Sequence, residues 1–300
     1  MNKNLKLFVW SMSVLVVLGS LVGCGSQGDT HGNDIYEIKG SDSEVNLVTA
    51  LVEAYAKGNN EVEFSVTGGG SGTGIAALIN NQTDVANSSR QIKEQEVTDA
   101  KAQGVEPVPI VFAMDGVAII VNADNNVKQL TVTEIGNIFA GEITNWKEVG
   151  GPDQEITLYG RQSSSGTFSY VMERVVKNDY AQSMKQMNGN SEIVESVAND
   201  KSAIGYVALG YIQDATGIKA LGVSEDGTDP YVNPSDYQRV KNGEYVLTRP
   251  LYQYFNGLPS GALREYVEFE LSTSGQELVG AEGFLPVTET YRQENEKYLK

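Results

Sequence analysis

The chain has 300 residues, a formal net charge of -17 and a single cysteine. The length suffices for one large domain or two lobes of ordinary size, and one cysteine excludes a disulfide within the chain. The acidity argues against nucleic acid or an anionic membrane surface as a partner. It does not exclude a small anion in a cleft, because charges are screened beyond about 8 Å at physiological salt.

The amino end has the pattern of an exported lipoprotein. A short basic stretch precedes an apolar run, residues 7–23, that is too short for a comfortable membrane span. The residues that end this run resemble a bacterial lipobox, which predicts a signal peptide over residues 1–23 and lipidation of Cys24. An uncleaved anchor and a simple signal peptide are the alternatives. Residues 24–34 predict a flexible tether, in which the only histidine, His31, is an ordinary linker residue.

The first third of the chain predicts strands that alternate with helices. Residues 35–39 alternate apolar and polar side chains as a strand does, and residues 45–55 place apolar side chains largely on one helical face. Residues 62–66 predict a second strand, and residues 75–80 begin a second helix after a glycine-rich turn. Residues 84–90 predict a short strand that leads into a hydroxyl-rich corner.

The rest of the chain continues this alternation. Helical patterns occur at residues 92–103, 131–140, 168–176, 191–198, 263–271 and 276–279. Strand-like runs occur at residues 108–114, 117–121, 156–159, 203–209, 221–223 and 245–254. Thr131 and Glu134 predict a capping box at the start of one helix. The chain could cross between lobes at Asp115 and Gly116. This alternation implies an α/β architecture.

Residues 160–167, Gly-Arg-Gln-Ser-Ser-Ser-Gly-Thr, have the composition of an anion-binding turn. They follow a strand-like run and precede a helical one, so several backbone N–H groups point to one place. Arg161 adds a planar fork of charged donors that fits tetrahedral oxyanions. Hydroxyls come from Ser163, Ser164, Ser165 and Thr167. The alternative is a solvent-exposed serine-rich turn with a capping threonine.

Two other strand–turn–helix units carry Gly, Ser or Thr at the turn, at residues 40–43 and 68–74. Ligands of open α/β sheets bind at the carboxyl ends of strands, so three such turns could surround one small anion. About six to eight charge-assisted hydrogen bonds of roughly 1.5–3 kcal/mol each exceed the ~8 kcal/mol of a micromolar complex, even after the cost of association. Such a site needs no metal.

The sequence offers little for catalysis. The turn at residues 68–74 lacks the lysine of a nucleotide P-loop, and no Gly-x-Ser-x-Gly elbow occurs. The only histidine lies in the tether, which excludes a Ser-His-Asp hydrolase, and no His/Cys cluster suits zinc. A paired-carboxylate glycosidase stays open, although acidic pairs such as Glu94 and Glu96 are most simply solvated. We therefore expect a binding protein that is not an enzyme and needs no cofactor.

Motifs at residues 40–43, 69–74, 87–90, 130–146, 160–167, 203–206, 274–276 and 283–286 together resemble one family. This family is the phosphate-specific ABC transporter substrate-binding lipoproteins, and the resemblance covers essentially the whole mature chain. The most specific motif is Phe-x-Gly-x-Ile-Thr-x-Trp at residues 139–146. The resemblance implies an α/β, two-lobed periplasmic-binding-protein-like fold of type II connectivity, each lobe a mixed β-sheet flanked by helices.

The resemblance also implies an organisation and partners. Lobe 1 would comprise residues 35–115 and 224–300, and lobe 2 residues 116–223. The lobes would close over inorganic phosphate and present it to ABC permease subunits with a cytoplasmic ATPase. We expect a monomer without nucleic acid, lipid-anchored on the extracytoplasmic face of the cell membrane. The alternatives are a receptor for another tetrahedral oxyanion, and a surface interaction or signalling lipoprotein that keeps the fold without transport.

Carried over position by position, the resemblance implies phosphate ligands from all three turns. Ser43 would offer its hydroxyl and Glu44 its backbone N–H, and Arg161 would make the charged contact. The other implied ligands are Ser71, Ser89, Ser165, Gly166 and Thr167. Further candidates are Thr73 and Arg90, the latter either as a second charged donor or as a salt bridge between lobes.

Two positions depart from the family pattern. Ser89 stands where some members have an aspartate that accepts the proton of hydrogen phosphate and so rejects sulfate. Preference for phosphate over sulfate is therefore left open by the sequence. Ser163 replaces the acid that often neutralises the binding arginine, so we expect Arg161 to act with more net positive charge.

Overall fold

The computed structural model describes residues 34–59 and 62–300. The predicted signal peptide, the lipidation site Cys24 and the tether with His31 lie outside the described residues, apart from the last tether position. Within the described ranges, no helix has both the length and the apolar character that crossing a membrane requires.

The described chain alternates strands and helices, as the sequence predicts. The strands are β1 (Asp34–Gly40), β2 (Val62–Thr67), β3 (Val85–Ser88), β4 (Pro107–Asn122), β5 (Gln129–Thr131), β6 (Thr157–Arg161), β7 (Lys185–Met187), β8 (Ala203–Ala208), β9 (Ile218–Ala220), β10 (Gly222–Ser224), β11 (Thr248–Asn256) and β12 (Leu285–Pro286). The α-helices are α1 (Val45–Ala56), α2 (Ser71–Ile79), α3 (Glu94–Ala102), α4 (Val132–Ala140), α5 (Gly166–Val171), α6 (Asn190–Asn199), α7 (Tyr237–Lys241), α8 (Gly261–Leu271), α9 (Thr273–Ala281) and α10 (Glu289–Asn295). Shorter helical turns are Asp42–Glu44, Trp146–Val149, Met172–Val176 and Leu209–Tyr211.

One mixed sheet has the strand order β2-β1-β3-β11-β4-β8-β6-β7, and β9 and β12 also pair with β4. Strand β1 is parallel to β2 and β3, and β6 is parallel to β7 and β8. Strands β4 and β11 run antiparallel to their partners. A separate parallel pair consists of β5 and β10. The predicted α/β class with mixed sheets is confirmed.

The long strand β4 joins two halves of this sheet. Its residues up to Gly116 pair with β11, and its residues from Val117 pair with β8. We call β1, β2, β3, β11 and β12 the first half, and β6, β7, β8 and β9 the second half. The two apolar runs predicted on either side of Asp115 and Gly116 are thus one continuous strand that passes from one half to the other.

Each half packs around an apolar core. The first-half core includes Ile38, Leu47, Phe112, Phe255 and Tyr266. The second-half core includes Val117, Ile119, Phe139, Trp146 and Tyr206. Tyr245 and Leu247, just before β11, also pack in the second-half core. The predicted lobe boundaries, residues 35–115 with 224–300 and 116–223, stay a prediction, and this packing favours a return crossing near residue 248.

Pro250 lies inside β11, where a central strand would normally exclude proline because proline has no N–H to donate. It lies opposite Met114 of β4, whereas β3 pairs with β11 from Tyr252 to Phe255. The register of β11 also shifts between Leu251 and Tyr252. The strand therefore accepts the proline before its pairing with β3 begins.

Several element boundaries differ from the prediction. Helix α2 begins inside the glycine-rich turn rather than at Ile75, since Gly70 has a φ of 105° that directs the chain into the helix. Helix α5 begins at Gly166, and a π-helical turn follows it. The elements β5, β7, β9, β12, α7 and α10 were not predicted. They are too short for a hydrophobic period to identify them.

The capping box predicted for α4 is confirmed. Thr131 Oγ1 accepts the Glu134 N–H at 3.1 Å, and Glu134 Oε2 accepts the Thr131 N–H at 2.8 Å. We expect Thr131→Ala to lower the free energy of unfolding by about 1 kcal/mol, because it leaves helix N–H groups without a partner. Urea unfolding measures this loss. Thr133→Ala, at an exposed position of the same helix, is the control, and an equal loss in both variants would contradict the capping role.

Candidate anion-binding site

The turns that follow β1, β2, β3 and β6 come together in the structure. Parallel strands bring their carboxyl ends to one edge of a sheet, which is where α/β proteins bind ligands. Ser43, Ser71, Ser89 and Thr167, one from each of these turns, are no more than 1% exposed. The three units selected from the sequence, together with the hydroxyl-rich corner after β3, therefore form one buried cluster.

The hydroxyls of the first half form a connected group. Ser41 Oγ donates to Ser89 Oγ at 3.1 Å, and Ser89 Oγ lies 3.4 Å from Ser71 Oγ. Ser71 Oγ also accepts the backbone N–H of Ser89 at 3.1 Å. Ser71 is the first residue of α2. Its hydroxyl and the partial positive charge of the helix amino end therefore lie at the same place.

The amino end of α5 lies directly against this group. A Cβ atom added to Gly166 would lie 2.4 Å from Ser71 Oγ and 2.6 Å from Ser89 Oγ, a separation that heavy atoms do not tolerate. The carbonyl oxygen of Ser164 accepts the Gly72 N–H at 2.9 Å. Glycine at position 166 thus permits the two halves of the sheet to meet at the cluster.

Hydroxyls from both halves also meet each other. Ser43 Oγ, after β1, lies 2.9 Å from Thr167 Oγ1, in α5. Ser165 Oγ accepts the N–H groups of Thr167 at 3.2 Å and Phe168 at 3.4 Å, so this hydroxyl caps the helix. Ser165 therefore already has two donors of its own chain, whereas Ser43 and Thr167 lie in the interior of the cluster.

Arg161 ends β6 and is 1% exposed. Its backbone N–H donates to Tyr206 Oη at 3.0 Å, and its Nη2 donates to the carbonyl oxygen of Asn188 at 2.8 Å. Neither Nε nor Nη1 makes a hydrogen bond. Burial lowers the pKa of the guanidinium, and the nearby carboxylate of Asp42 opposes that shift. Arg161 therefore keeps N–H donors for a ligand.

Asp42 corrects one expectation from the sequence. Its Oδ2 lies 3.3 Å from Arg161 Nη1 and accepts the backbone N–H and the Nδ2–H of Asn190 at 2.8 and 2.7 Å. The replacement of the usual acid by Ser163 therefore does not leave Arg161 without a neutralising partner. The carboxylate comes instead from the turn after β1, at a distant position in the chain.

A second arginine, Arg249, was not predicted. It lies at the start of β11, opposite Asp115 of β4, and is 3% exposed. Its Nε and Nη2 donate to Asp115 Oδ2 at 3.0 and 2.8 Å. Its Nη2 also donates to Thr167 Oγ1 at 3.0 Å and lies within 3.4 Å of Ser43 Oγ. The signal in the sequence is Arg249 inside one strand-like run and Asp115 between two apolar runs.

Glu44 is fully buried, and neither carboxyl oxygen has a hydrogen-bond partner. Its backbone N–H, which the resemblance assigned to the ligand, donates to the carbonyl oxygen of Ser41 at 3.2 Å. Burial raises the pKa of the carboxyl well above its ordinary value, although the nearby Ser41 hydroxyl, which is outside hydrogen-bond geometry, and the charge of Arg249 oppose the shift. The neutral, protonated form of Glu44 is therefore favoured.

The two further candidates are engaged by other partners. Arg90 Nη1 and Nη2 donate to Glu96 Oε2 and Oε1 at 2.8 and 2.6 Å, within the same segment of chain. Thr73 Oγ1 donates to the carbonyl oxygen of Gly69 at 3.0 Å and is exposed. Arg90 thus forms neither of the two contacts that the sequence left open, a bond to the hydroxyl cluster or a salt bridge between the halves.

The donors of the cluster suit a tetrahedral oxyanion. They are hydroxyls, helix amino ends and guanidinium N–H groups, which hydrogen-bond to anionic oxygen. No group of three or more His, Cys, Asp and Glu side chains able to hold a metal ion occurs in residues 34–59 and 62–300.

Comparison with known proteins identifies the family. The PBP superfamily domain matches residues 25–274. Phosphate-binding protein PstS of Bacillus subtilis (strain 168) is 30% identical over 96% of this chain and 96% of its own length. This chain belongs to the PstS family of the PBP superfamily. Phosphate-binding protein PstS of Pseudomonas aeruginosa (strain PAO1), 28% identical over 83% of this chain and 81% of its own, is another relative.

Solved structures of the family share the fold. A Clostridium perfringens ABC transporter substrate-binding protein, solved with bound phosphate, has a TM-score of 0.75 and 28% identity over 85% of this chain and 100% of its own. An ABC-type phosphate transport receptor from Vibrio cholerae has a TM-score of 0.67 and 28% identity over 84% of this chain and 100% of its own. The predicted periplasmic-binding-protein-like fold is confirmed.

We expect Glu44→Gln to flatten the pH dependence of stability. The pKa of Glu44 is raised in the folded protein, whereas in an unfolded chain it is about 4.3. Above the unfolded value the folded state binds more protons, so the free energy of unfolding falls as pH rises, by up to about 1.4 kcal/mol per pH unit. Glutamine is neutral, so the variant should lose this slope and be more stable than the wild type at alkaline pH.

Urea unfolding between about pH 5 and about pH 8 tests this expectation. Glu53→Gln, on the exposed face of α1, removes one carboxylate at the surface and should keep the slope of the wild type. A Glu44→Gln profile parallel to that of the wild type would show that Glu44 is ionised in the folded protein.

Proposed function

We propose that this protein captures inorganic phosphate between its two lobes and delivers it to an ABC importer. The observation that carries the proposal is the buried cluster of hydroxyls from both halves beside Arg161, whose Nε lacks a hydrogen-bond partner. Its relatives are named phosphate-binding proteins, and the C. perfringens structure contains bound phosphate. The proposed ligands are Ser43, Glu44, Ser71, Ser89, Arg161, Ser165, Gly166 and Thr167.

Each group in this set would have a distinct part in binding. The guanidinium of Arg161 would donate to one or two phosphate oxygens, as its planar fork favours. The amino ends of α2 and α5 would add backbone N–H groups and partial positive charge. Glu44 would contribute its N–H only by exchanging its present bond with Ser41. Hydroxyls both donate and accept, so Ser89 could accept the proton of hydrogen phosphate.

The same hydroxyl supports a second candidate ligand. Ser89 carries no charge, so it does not repel a fully deprotonated oxyanion such as sulfate, as an aspartate at this position would. A receptor for another tetrahedral oxyanion is therefore the alternative that the geometry favours next. Binding of any such anion would stabilise the contact between the two halves, because its oxygens need donors from both.

We infer that the protein acts outside the cytoplasm as a lipid-anchored monomer. The support is the lipobox-like sequence that ends at Cys24 and the polar stretch that follows it. The related V. cholerae protein is an ABC-type phosphate transport receptor, which supports delivery of the anion to permease subunits with a cytoplasmic ATPase. In this arrangement the protein binds and releases its solute without chemical change.

Calorimetric titration with phosphate and with sulfate tests the ligand. We expect the wild type to bind phosphate with a dissociation constant of about 1 μM or below, and more tightly than sulfate. Arg161→Ala should weaken binding at least about 100-fold, because it removes the charge-assisted hydrogen bonds. Arg239→Ala is the control, since Arg239 pairs with Glu244 at the surface, and it should bind as the wild type does.

Other outcomes of these titrations would change the assignment of the ligand or of the site. Equal affinity for sulfate would reassign the protein to tetrahedral oxyanions in general. No heat with any oxyanion would favour a surface interaction or signalling protein. Circular dichroism of Arg161→Ala separates loss of a ligand from loss of the fold, and unchanged phosphate affinity in this variant would remove Arg161 from the site.

The anchor is tested by Cys24→Ser. We expect this variant to leave the membrane fraction or to retain its leader, since serine cannot form the thioether to lipid. Labelling of cells with a radioactive fatty acid should mark the wild type and not the variant. Continued labelling of the variant would contradict lipidation at this cysteine.

A further inference from the structure

Arg249 lies between the strands that link the two halves and the hydroxyls that both halves provide. It is paired in register with Asp115, next to the point where β4 passes from β11 to β8. Its Nη2 donates to Thr167 Oγ1 from the second half and lies within 3.4 Å of Ser43 Oγ from the first half. One guanidinium therefore contacts a proposed ligand hydroxyl of each half.

One edge of the Arg249 guanidinium is hydrogen-bonded to Asp115, whereas the other edge has an N–H donor without a partner. Asp115 Oδ2 accepts from Nε and Nη2, which form the side edge of the group. The end edge consists of Nη1 and Nη2. Nη1 is buried without any hydrogen-bond partner, and Nη2 points to the two hydroxyls. A buried donor without a partner is costly, and an anionic oxygen that reached the end edge of the guanidinium would give Nη1 an acceptor.

Neighbouring groups fix the orientation of this end edge. The ring of Tyr170 lies 5.4 Å from Arg249 Cζ and covers one face of the guanidinium. Tyr170 Oη donates to the carbonyl oxygen of Thr248 at 3.2 Å, which holds the ring against the start of β11. Asp115 Oδ1 accepts the Leu209 N–H at 3.0 Å, which holds the carboxylate. The end edge is therefore the part of Arg249 left for a ligand.

We propose that Arg249 is a second cationic ligand of the bound oxyanion, in addition to Arg161. The inference rests on the proposed function. Arg249 is not among the phosphate ligands that the family resemblance implies. Arg161 comes from the second half, and Arg249 from the strand beside the crossing. Two guanidinium groups suit a tetrahedral oxyanion of double negative charge, because each can donate to a different oxygen. The competing explanation is that Arg249 and Asp115 form only a structural ion pair.

Three variants separate the two explanations by calorimetric titration with phosphate. The double variant Arg249→Met with Asp115→Asn removes both charges together, so no unpaired charge is left buried. Asp115→Asn alone breaks the same ion pair and keeps the guanidinium. Arg239→Met, a change of the same type at a surface pair, is the control. Thermal unfolding shows which variants are folded.

We expect the double variant to lose about 10- to 100-fold in phosphate affinity, as removal of one charge-assisted contact predicts. Asp115→Asn should keep more affinity than the double variant, and Arg239→Met should match the wild type. A folded double variant with wild-type affinity would overturn the proposal, and so would equal losses in the double variant and in Asp115→Asn. A wild type that binds no oxyanion in the same titrations would instead refute the proposed function.

Discussion

The burial of two guanidinium groups beside one cluster of hydroxyls is the constraint on which the site depends. A charge removed from water costs several kcal/mol unless a partner offsets it. Asp42 offsets part of the charge of Arg161, and Asp115 offsets part of that of Arg249. Each pairing leaves N–H groups without hydrogen bonds. The fold therefore keeps the arginines in place while it leaves donors that an oxyanion can satisfy.

The same constraint explains how a chain of net charge -17 can hold an anion. Buried carboxyl groups in this part of the fold are either paired with arginine or have a pKa that burial raises. Burial raises the pKa of Glu44 and of Glu270 well above their ordinary values, so neither is a strong source of negative charge in the interior. The remaining acidic side chains lie mostly at the surface, where water and salt weaken their repulsion.

Close approach between the halves is as important as charge. Gly166 lies where any side chain would collide with Ser71 and Ser89, so the hydroxyls of these two serines and the amino end of α5 share a small volume. Water has little access to groups that are no more than 1% exposed, and hydrogen bonds to an anion are stronger in such surroundings. Gly166 thus contributes to the site because it lets the amino end of α5 approach Ser71 and Ser89 closely.

Local features of this architecture could be predicted from the sequence. The turns with Gly, Ser and Thr were found because each signal lies within a few consecutive residues, and the capping box of Thr131 and Glu134 is equally local. Strands and helices with a clear hydrophobic period were found for the same reason. Strand β12 and helix α10, of two and seven residues, show no such period and were missed.

The electrostatic partners could not be predicted in this way, because they depend on strand register and on contacts between the halves. Nothing near Arg161 in the chain points to Asp42, and the pairing of Arg249 with Asp115 follows from the register of β11 on β4. Yet Arg249 is the lone charge of its strand-like run, and Asp115 is the lone charge between two apolar runs. A lone charge inside a sheet is too costly to be left unpaired. Because Arg249 is basic and Asp115 is acidic, the sequence explains why the two residues pair. It does not show where in the fold they pair. The fold supplies the location, at the crossing between the halves, and this is where a charge can contact hydroxyls of both.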